Sequence, residues 1–222
     1  MREHDRARLL GTVLALVWAL ATPLAAQTPP RLSREQARQQ LESSDAEARR
    51  RGVAALAEVG IMADAPALLR ALRDPDPAVR TLAEEAVWQV WSRSGDAETD
   101  RLFAAGVEQM SRGAGAEAIE TFTRVIRGKP DFAEGWNKRA TVYFLMGEYQ
   151  KSLADCDEVM KRNPAHFGAL AGYGQIYLQL GEPEKALEYF ERALAVNPNL
   201  SQVEMVIEQL RAALIRKRKD TI

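Results

Sequence analysis

A 34-residue interval recurs through the second half of this 222-residue chain. The residues that keep this interval are three prolines and three glycines: Pro130, Pro164, Pro198, Gly113, Gly147 and Gly181. A fixed period of this length is typical of stacked helix–turn–helix units. Since one such unit cannot bury its apolar side alone, about three units must stack for stability. The interval therefore predicts an all-α fold built from repeated helical hairpins.

Three units align on this interval, at residues 99–132, 133–166 and 167–200. Small residues occupy positions 8 and 20 of a unit, larger ones occupy positions 4, 11 and 24, and proline occupies position 32. In the second unit these residues are Trp136, Ala140, Tyr143, Ser152, Cys156 and Pro164. The pattern resembles the tetratricopeptide repeat family, although Gln109 replaces the aromatic residue expected at position 11 of the first unit. The resemblance implies a right-handed superhelical α–α solenoid over residues 95–219, ending in a cap helix at 200–219.

Residues 33–94 carry a different pattern. Asp76 is a good N-cap and Pro77 suits the first position of a helix, so a helix start is predicted there. The run from Asp74 to Val87 resembles a HEAT repeat, which implies a short HEAT-like helical region. Trp88 and Trp91 fall on one face of its last helix. We interpret them as a seam against the repeats, with an exposed docking patch as the alternative.

The N-terminus predicts export. Residues 1–26 combine arginines, a short apolar run and small residues before Gln27, as a cleaved secretory signal does. The apolar run is shorter than the roughly 20 residues that span a bilayer, which disfavours an uncleaved membrane anchor. Residues 27–32 contain Pro29-Pro30 and form an extended tether. We expect secretion across an inner membrane into a bacterial periplasm, with no membrane insertion after the signal is removed.

Composition disfavours an enzyme or a nucleic-acid binder. The formal net charge of −1 gives no basic footprint for nucleic acid. The sequence holds none of the common metal, phosphate-loop or nucleophile motifs, so no catalytic residue, metal or cofactor is predicted. Cys156, the only cysteine, is expected to be a buried core thiol. His166 is expected to be a surface residue of the turn after Pro164.

The resemblance places a binding groove on the first helix of each repeat, with positions 2, 5, 9 and 12 pointing into it. The candidate groove residues are Phe103, Val107, Asn137, Thr141, Phe144 and Gln175. Phe103 and Phe144 are expected to form apolar pockets, with a core position as the alternative for Phe144. Asn137 is expected to hydrogen-bond a peptide backbone. Chaperone-binding members of the family clamp a carboxylate with basic residues, which the matching positions here lack.

These features predict a non-enzymatic protein-binding scaffold of the cell envelope. A partner peptide or helix would occupy the concave groove. The alternative is a structural subunit whose repeat surfaces mediate self-association or the assembly of an envelope complex. The identity of the partner and the oligomeric state are left open by the sequence, because repeat arrays host many unrelated roles.

Overall fold

The computed structural model describes residues 31–220, with side chains from residue 31 to residue 217. Over that range the chain forms eleven α-helices joined by short turns and contains no β-strand. The predicted all-α fold is therefore confirmed for the described residues. The predicted signal at 1–26 and most of the tether at 27–32 lie outside them and stay predictions.

Residues 32–92, here called the N-terminal segment, form four helices and a short 3₁₀ turn. They are α1 (Arg34–Leu41), α2 (Ala46–Val59), the 3₁₀ turn (Met62–Asp64), α3 (Ala65–Ala71) and α4 (Pro77–Trp91). The Asp76 carboxylate accepts a hydrogen bond from Val79 N at 3.0 Å, which confirms the predicted helix start. Leu56, Leu68 and Val87 are fully buried where these helices pack together.

Two arginines make matching contacts within this segment. Arg49 donates to the carbonyls of Ser43 and Ser44, and Arg80 donates to those of Asp74 and Pro75. In both cases the acceptors lie six and five residues before the arginine. The segment therefore repeats a local arrangement along its length. The assignment of this segment to the HEAT repeats stays a prediction.

The remaining helices, α5 to α11, form what we call the repeat array. They are α5 (Ala97–Ser111), α6 (Gly115–Gly128), α7 (Ala133–Leu145), α8 (Tyr149–Arg162), α9 (Phe167–Gln179), α10 (Pro183–Val196) and α11 (Ser201–Asp220). Each helix packs on the next, and the first helices of neighbouring repeats, α5, α7 and α9, also touch. This stacking makes a solenoid. Ile207 of α11 is buried against Phe190 of α10, as expected of a cap helix.

Glycines control the spacing inside the array. Gly113, Gly147 and Gly181 lie in the turns within the three repeats, at φ angles of 76°, 77° and 74°. These angles are in the left-handed region, which glycine adopts without steric penalty. Gly174 has a second role, because a Cβ at this position would lie 2.6 Å from the ring of Phe190. The close approach of α9 and α10 thus depends on a missing side chain.

The N-terminal segment packs directly on the repeat array. Trp88 and Trp91 contact the ring of Phe167, with centroid separations of 5.2 and 5.1 Å. Asn199 Nδ2 donates to the carbonyl of Leu72 at 2.8 Å, and Arg73 donates to that of Val196 at 2.9 Å. The predicted tryptophan seam is therefore confirmed. The segment contacts the turns between repeats, and so part of the array surface is already covered.

Candidate functional site

A cavity of about 160 Å³ lies between α7 and α9, the first helices of the second and third repeats. We call it the groove cavity. Helix α8 contributes Ser152 and Cys156 to its wall. The other lining residues are Asn137, Ala140, Thr141, Phe144, Gly168, Ala169, Ala171, Gly172, Gln175 and Ile176. None of these side chains is charged, so the wall is apolar with a few neutral polar groups.

Four of the six predicted groove residues meet at this cavity: Asn137, Thr141, Phe144 and Gln175. Phe144, for which a core position was the alternative, lines the cavity while its ring also contacts Tyr149. The structure thus brings together the candidates from the second and third repeats. Phe103 and Val107 come from the first repeat and lie elsewhere.

Phe103 belongs to the core of the first repeat. It is 7% exposed, and its ring contacts Phe132 and Phe122 at centroid separations of 5.2 and 5.9 Å. Val107 is partly buried against the same cluster. The expectation of an apolar groove pocket at Phe103 was wrong. The physical reason is that Phe132, in the turn between α6 and α7, provides an aromatic surface that buries the Phe103 ring.

His166 is a buried residue, which corrects its predicted place on a surface turn. It is fully buried and precedes α9, where its Nδ1 accepts a hydrogen bond from Ala169 N at 3.0 Å. Its Nε2 lies 2.5 Å from Glu134 Oε1, and its ring stacks on Trp91 at 4.4 Å. Since Nδ1 accepts, Nε2 must carry the proton that is shared with Glu134. The imidazole therefore joins two repeats and the N-terminal segment.

Glu134 is also fully buried, and it is held ionised. Burial by itself raises the pKa of this carboxyl, but the close contact with His166 lowers it. Lys138 Nζ at 3.8 Å from Oε2 and the Asn137 amide act in the same direction. The net result is a pKa below the ordinary value, because the opposing contacts outweigh the loss of solvent. A buried carboxylate thus sits beside the groove cavity.

This carboxylate fixes the orientation of Asn137. Asn137 Nδ2 donates to Glu134 Oε2 at 3.0 Å. A carboxylate can only accept, so the amide must turn its NH₂ group toward Glu134. Asn137 is 8% exposed and lines the groove cavity, and no donor within the described part of the chain reaches its oxygen. Asn137 therefore offers the groove an acceptor.

The two hydroxyl groups on the wall are, like the Asn137 amide oxygen, available only as hydrogen-bond acceptors. Thr141 Oγ1 donates to the carbonyl of Asn137 at 2.9 Å, and Ser152 Oγ donates to that of Ala140 at 2.7 Å. Each hydroxyl has one proton, which these bonds use, so only acceptor lone pairs remain. Together with Asn137, they present acceptors to the cavity, whereas the exposed amide of Gln175 has both donors and an acceptor.

Gly172 and Cys156 face each other across the wall. A Cβ at Gly172 would meet only Cys156 Sγ, at 3.9 Å, within a 4 Å radius. Cys156 is 3% exposed, which confirms the prediction of a buried thiol. Burial, with smaller contributions from Asp155 and Asp157, raises the pKa of Cys156 to about 12. The thiol is therefore protonated at neutral pH and unreactive.

The structure adds residues that position alone did not single out. Glu134 was not among the six candidate groove residues and His166 was expected on the surface, yet the two form one buried pair. Their signal in the sequence is a histidine placed immediately before a helix, where a side-chain acceptor caps the first turn. Pairing with a glutamate 32 residues earlier requires the repeat stacking to be known.

Two kinds of site are absent from the described residues. Between residues 31 and 217, no cluster of three or more His, Cys, Asp or Glu side chains is arranged to hold a metal ion. In the same stretch, the helices are too short or too polar to cross a membrane.

Comparison with known proteins identifies the family. The tetratricopeptide repeat model matches residues 131–199. A TPR repeat-containing protein of Rhizobium etli is 36% identical over 146 residues, which cover 64% of this chain and 71% of that protein. The chain belongs to the tetratricopeptide repeat family. Anaphase-promoting complex subunit 7 of Dictyostelium discoideum is 31% identical over 97 residues, but the match spans only 17% of its length.

Solved structures agree on the fold of the repeat array. The first TPR domain of Spaghetti (RPAP3), bound to the HSP90 peptide SRMEEVD, superposes with a TM-score of 0.51 at 23% identity. The match covers 54% of this chain and 96% of that domain. At this identity the likeness establishes the shared fold of the tetratricopeptide array.

Proposed function

We propose that this tetratricopeptide protein is a non-enzymatic protein-binding scaffold of the cell envelope. A segment of a partner protein would occupy the groove cavity between α7 and α9. The observation that carries the proposal is the open cavity of about 160 Å³, whose polar groups are held in fixed orientations. A site that is ordered before the ligand arrives loses less entropy on binding.

The polarity of the cavity constrains the partner. Asn137, Thr141 and Ser152 offer acceptors, and no lysine or arginine lines the wall. The related RPAP3 domain is known in complex with an HSP90 peptide that contains two glutamates and ends in aspartate. A carboxylate would find neither a cation nor a free donor among these three groups. We therefore expect an occupant that brings N–H donors, such as backbone amides or a lysine side chain.

The groove can be tested by adding a single methyl group. Gly172→Ala adds a Cβ that meets only Cys156 at 3.9 Å, so the helix tolerates it while the cavity shrinks. Gly128→Ala is the matched control, because a Cβ there meets nothing within 4 Å. Proteins that copurify with the natural protein should be reduced with Gly172→Ala, reduced further with Gln175→Trp, and unchanged with Gly128→Ala. Equal recovery with all variants would contradict binding in the groove.

Peptide binding gives a second, independent measurement. Fluorescence anisotropy should show that labelled SRMEEVD binds weakly or not at all. An amidated variant with lysines in place of its acidic residues should bind more tightly. The reverse order would contradict the proposed acceptor surface.

Location in the envelope is proposed from residues 1–26 alone. Cell fractionation followed by N-terminal sequencing tests it directly. We expect a periplasmic form that begins near Gln27. Recovery of a form that still begins at Met1 in the cytoplasm would contradict the export proposal.

Self-association is the second candidate function. Large apolar side chains are exposed at two places: Leu145 (68%) and Met146 (52%) at the end of α7, and Ile61 (49%) and Met62 (47%) before α3. Exposed apolar groups of this size can mark interaction surfaces. A stable oligomer in light scattering that is lost with Leu145→Ser would favour an assembly subunit. A monomer over a wide concentration range would reject it.

A further inference from the structure

A chain of hydrogen bonds runs from the start of α9 to the wall of the groove cavity. It begins at the backbone N–H of Ala169, which donates to His166 Nδ1 at 3.0 Å. His166 Nε2 lies 2.5 Å from Glu134 Oε1, and Glu134 Oε2 accepts from Asn137 Nδ2 at 3.0 Å. His166 and Glu134 are fully buried, whereas Asn137 lines the cavity. The chain therefore connects a backbone group to a side chain of the groove.

The backbone end of this chain fixes the direction of every bond in it. A backbone N–H can only donate, so His166 Nδ1 must accept and Nε2 must carry the ring proton. Glu134 then accepts from His166 at one oxygen and from Asn137 at the other. The His166 ring is also held in place by stacking on Trp91 of the N-terminal segment, at 4.4 Å. Reversing any bond would bring two donors face to face inside the protein.

Asn137 Oδ1 is the open end of the chain. No donor of the described residues reaches this oxygen. It is not enclosed either, because the enclosed polar atoms that lack a partner in that part of the protein belong to other side chains. The amide lies on the wall of the groove cavity. A ligand in the groove can therefore reach this acceptor.

We infer that Glu134, which does not line the cavity, determines the hydrogen-bonding specificity of the groove at Asn137. The inference rests on the proposed binding function of the groove. A carboxylate only accepts, so it keeps the Asn137 NH₂ group turned inward and the amide oxygen turned toward the ligand. The groove thereby selects an N–H donor at this position and disfavours a carboxylate. Glu134 is a positioning residue, because it acts on the ligand through Asn137.

The substitution Glu134→Gln should reverse this polarity. The new amide has one oxygen and one NH₂ group, and the proton on His166 Nε2 requires the oxygen, because Ala169 fixes the tautomer. The NH₂ group must then face Asn137, whose own amide turns over and presents NH₂ to the groove. Lys138 Nζ, 3.8 Å from Oε2 and on a 25% exposed side chain, can turn to solvent. Both contacts become neutral hydrogen bonds, which are weaker than those to a carboxylate.

Exchange of side-chain amide protons with water tests the orientation without any ligand. In ¹⁵N-labelled protein, the Asn137 signal is identified by its loss in Asn137→Ala. In the natural protein its NH₂ group should exchange roughly tenfold more slowly than that of Gln175, an exposed amide on the same cavity. In Glu134→Gln, the Asn137 rate should approach that of Gln175. The inference is overturned if the two rates already match in the natural protein, or if Asn137 stays protected in the variant.

Peptide binding tests the specificity itself. In Glu134→Gln, the ratio of affinities for SRMEEVD and for its amidated lysine variant should move toward the acidic peptide by roughly tenfold, the equivalent of one hydrogen bond.

Loss of the Glu134 charge alone would also favour an acidic peptide, so the control repeats the substitution in Asn137→Ala. In that background Glu134→Gln should leave the ratio nearly unchanged, because no amide is present to turn over. An equal shift in both backgrounds would overturn the inference, since the charge would then explain it. If neither peptide binds to any of these proteins, the proposed groove function fails, while the exchange rates still decide how Glu134 orients Asn137.

Discussion

The N-terminal segment and the repeat array fix their helices by different means. In the segment, charged and polar side chains hold the helix ends. Asp45 and Asp76 cap α2 and α4, and the Arg49 and Arg50 guanidinium groups bind Asp74 and Asp76 at 2.6 and 2.5 Å. In the array, α6, α7, α8 and α10 start without a side-chain cap hydrogen bond. Glycine turns and close contacts between glycines and aromatic rings fix these helices instead. The difference indicates that helix packing in the array is sensitive to side-chain volume, and that the helix ends of the segment are sensitive to charge.

The largest effect is expected where the two regions meet. Glu134→Gln replaces the buried carboxylate that accepts hydrogen bonds from His166 and Asn137, and losing a hydrogen bond to a charged group costs about 1.5–3 kcal/mol for each bond. Urea unfolding should show that loss in one transition, because the pair joins both regions. Glu188→Gln, at an exposed side chain, is the control and should change little. Two separate transitions in the variant would show that the regions unfold independently.

The pH dependence of this effect has a definite sign. The pKa of Glu134 is lowered on folding, so its contribution is fully present above the ordinary carboxyl value of 4.5. The contribution is lost as the pH falls through the lowered pKa. The stability gap between the natural protein and Glu134→Gln should therefore narrow in acid.

The next largest effect is a steric one in the array. Gly174→Ala places a Cβ 2.6 Å from the buried Phe190 ring, and such overpacking costs about 1–3 kcal/mol. Gly128→Ala has no neighbour within 4 Å and should stabilise the protein by about 0.4–1 kcal/mol, because alanine has less conformational freedom to lose from the unfolded chain. Thermal unfolding of the two variants should move in opposite directions. Movement in the same direction would contradict control of the array by volume.

A smaller effect is expected at Asp76, where one substitution can distinguish the charge of the side chain from its role as the N-cap of α4. The hydrogen bond from Arg50, with that from Val79, lowers the pKa of Asp76 to about 2. Asp76→Asn keeps a good cap and loses the charge, so the variant should melt at a lower temperature at neutral pH. The Asp76 charge stabilises the fold above pH 3.8, and this contribution disappears as the pH falls through about 2. A difference that persists below pH 2 would contradict the ion pair as its source.

The smallest effect is expected at Cys156. With its pKa raised to about 12 and its side chain buried, the thiol should not react with a disulfide reagent at pH 8. Reaction should become complete in denaturant. Fast labelling of the native protein would indicate that the array opens around α8, which its close packing argues against.

The repeat array was predictable because its constraints are periodic. Positive-φ glycines and close-packed small residues recur in each unit, so three copies reinforce one interpretation. The start of α4 was predictable for a local reason, since Asp76 and Pro77 act within one turn. Four of the six groove candidates also meet as expected, because position within a repeat determines the direction of a side chain.

Two predictions were wrong: Phe103 is buried by Phe122 and Phe132 of its own repeat, and His166 is buried by contacts that reach outside it. His166 and Phe103 were misplaced because their environment depends on contacts that the period does not specify. The burial of His166 comes from Trp91 of the N-terminal segment and from Glu134 at the other end of the same repeat. The orientation of the Asn137 amide then follows from that pair. Long-range contacts between different repeat types leave no periodic trace in a single sequence.

Gly168 shows how closely the N-terminal segment and the repeat array pack together. A Cβ there would lie 2.4 Å from the six-membered ring of Trp88. Any other amino acid at this position would force the Trp88 ring to move, and this ring packs against both Phe167 and Trp91. A designer who replaced the third repeat with an idealised one bearing alanine at residue 168 would keep a sound helical hairpin but lose its match to the N-terminal segment. Repeats with similar sequences are therefore not interchangeable in this molecule, because each has contacts of its own outside the array.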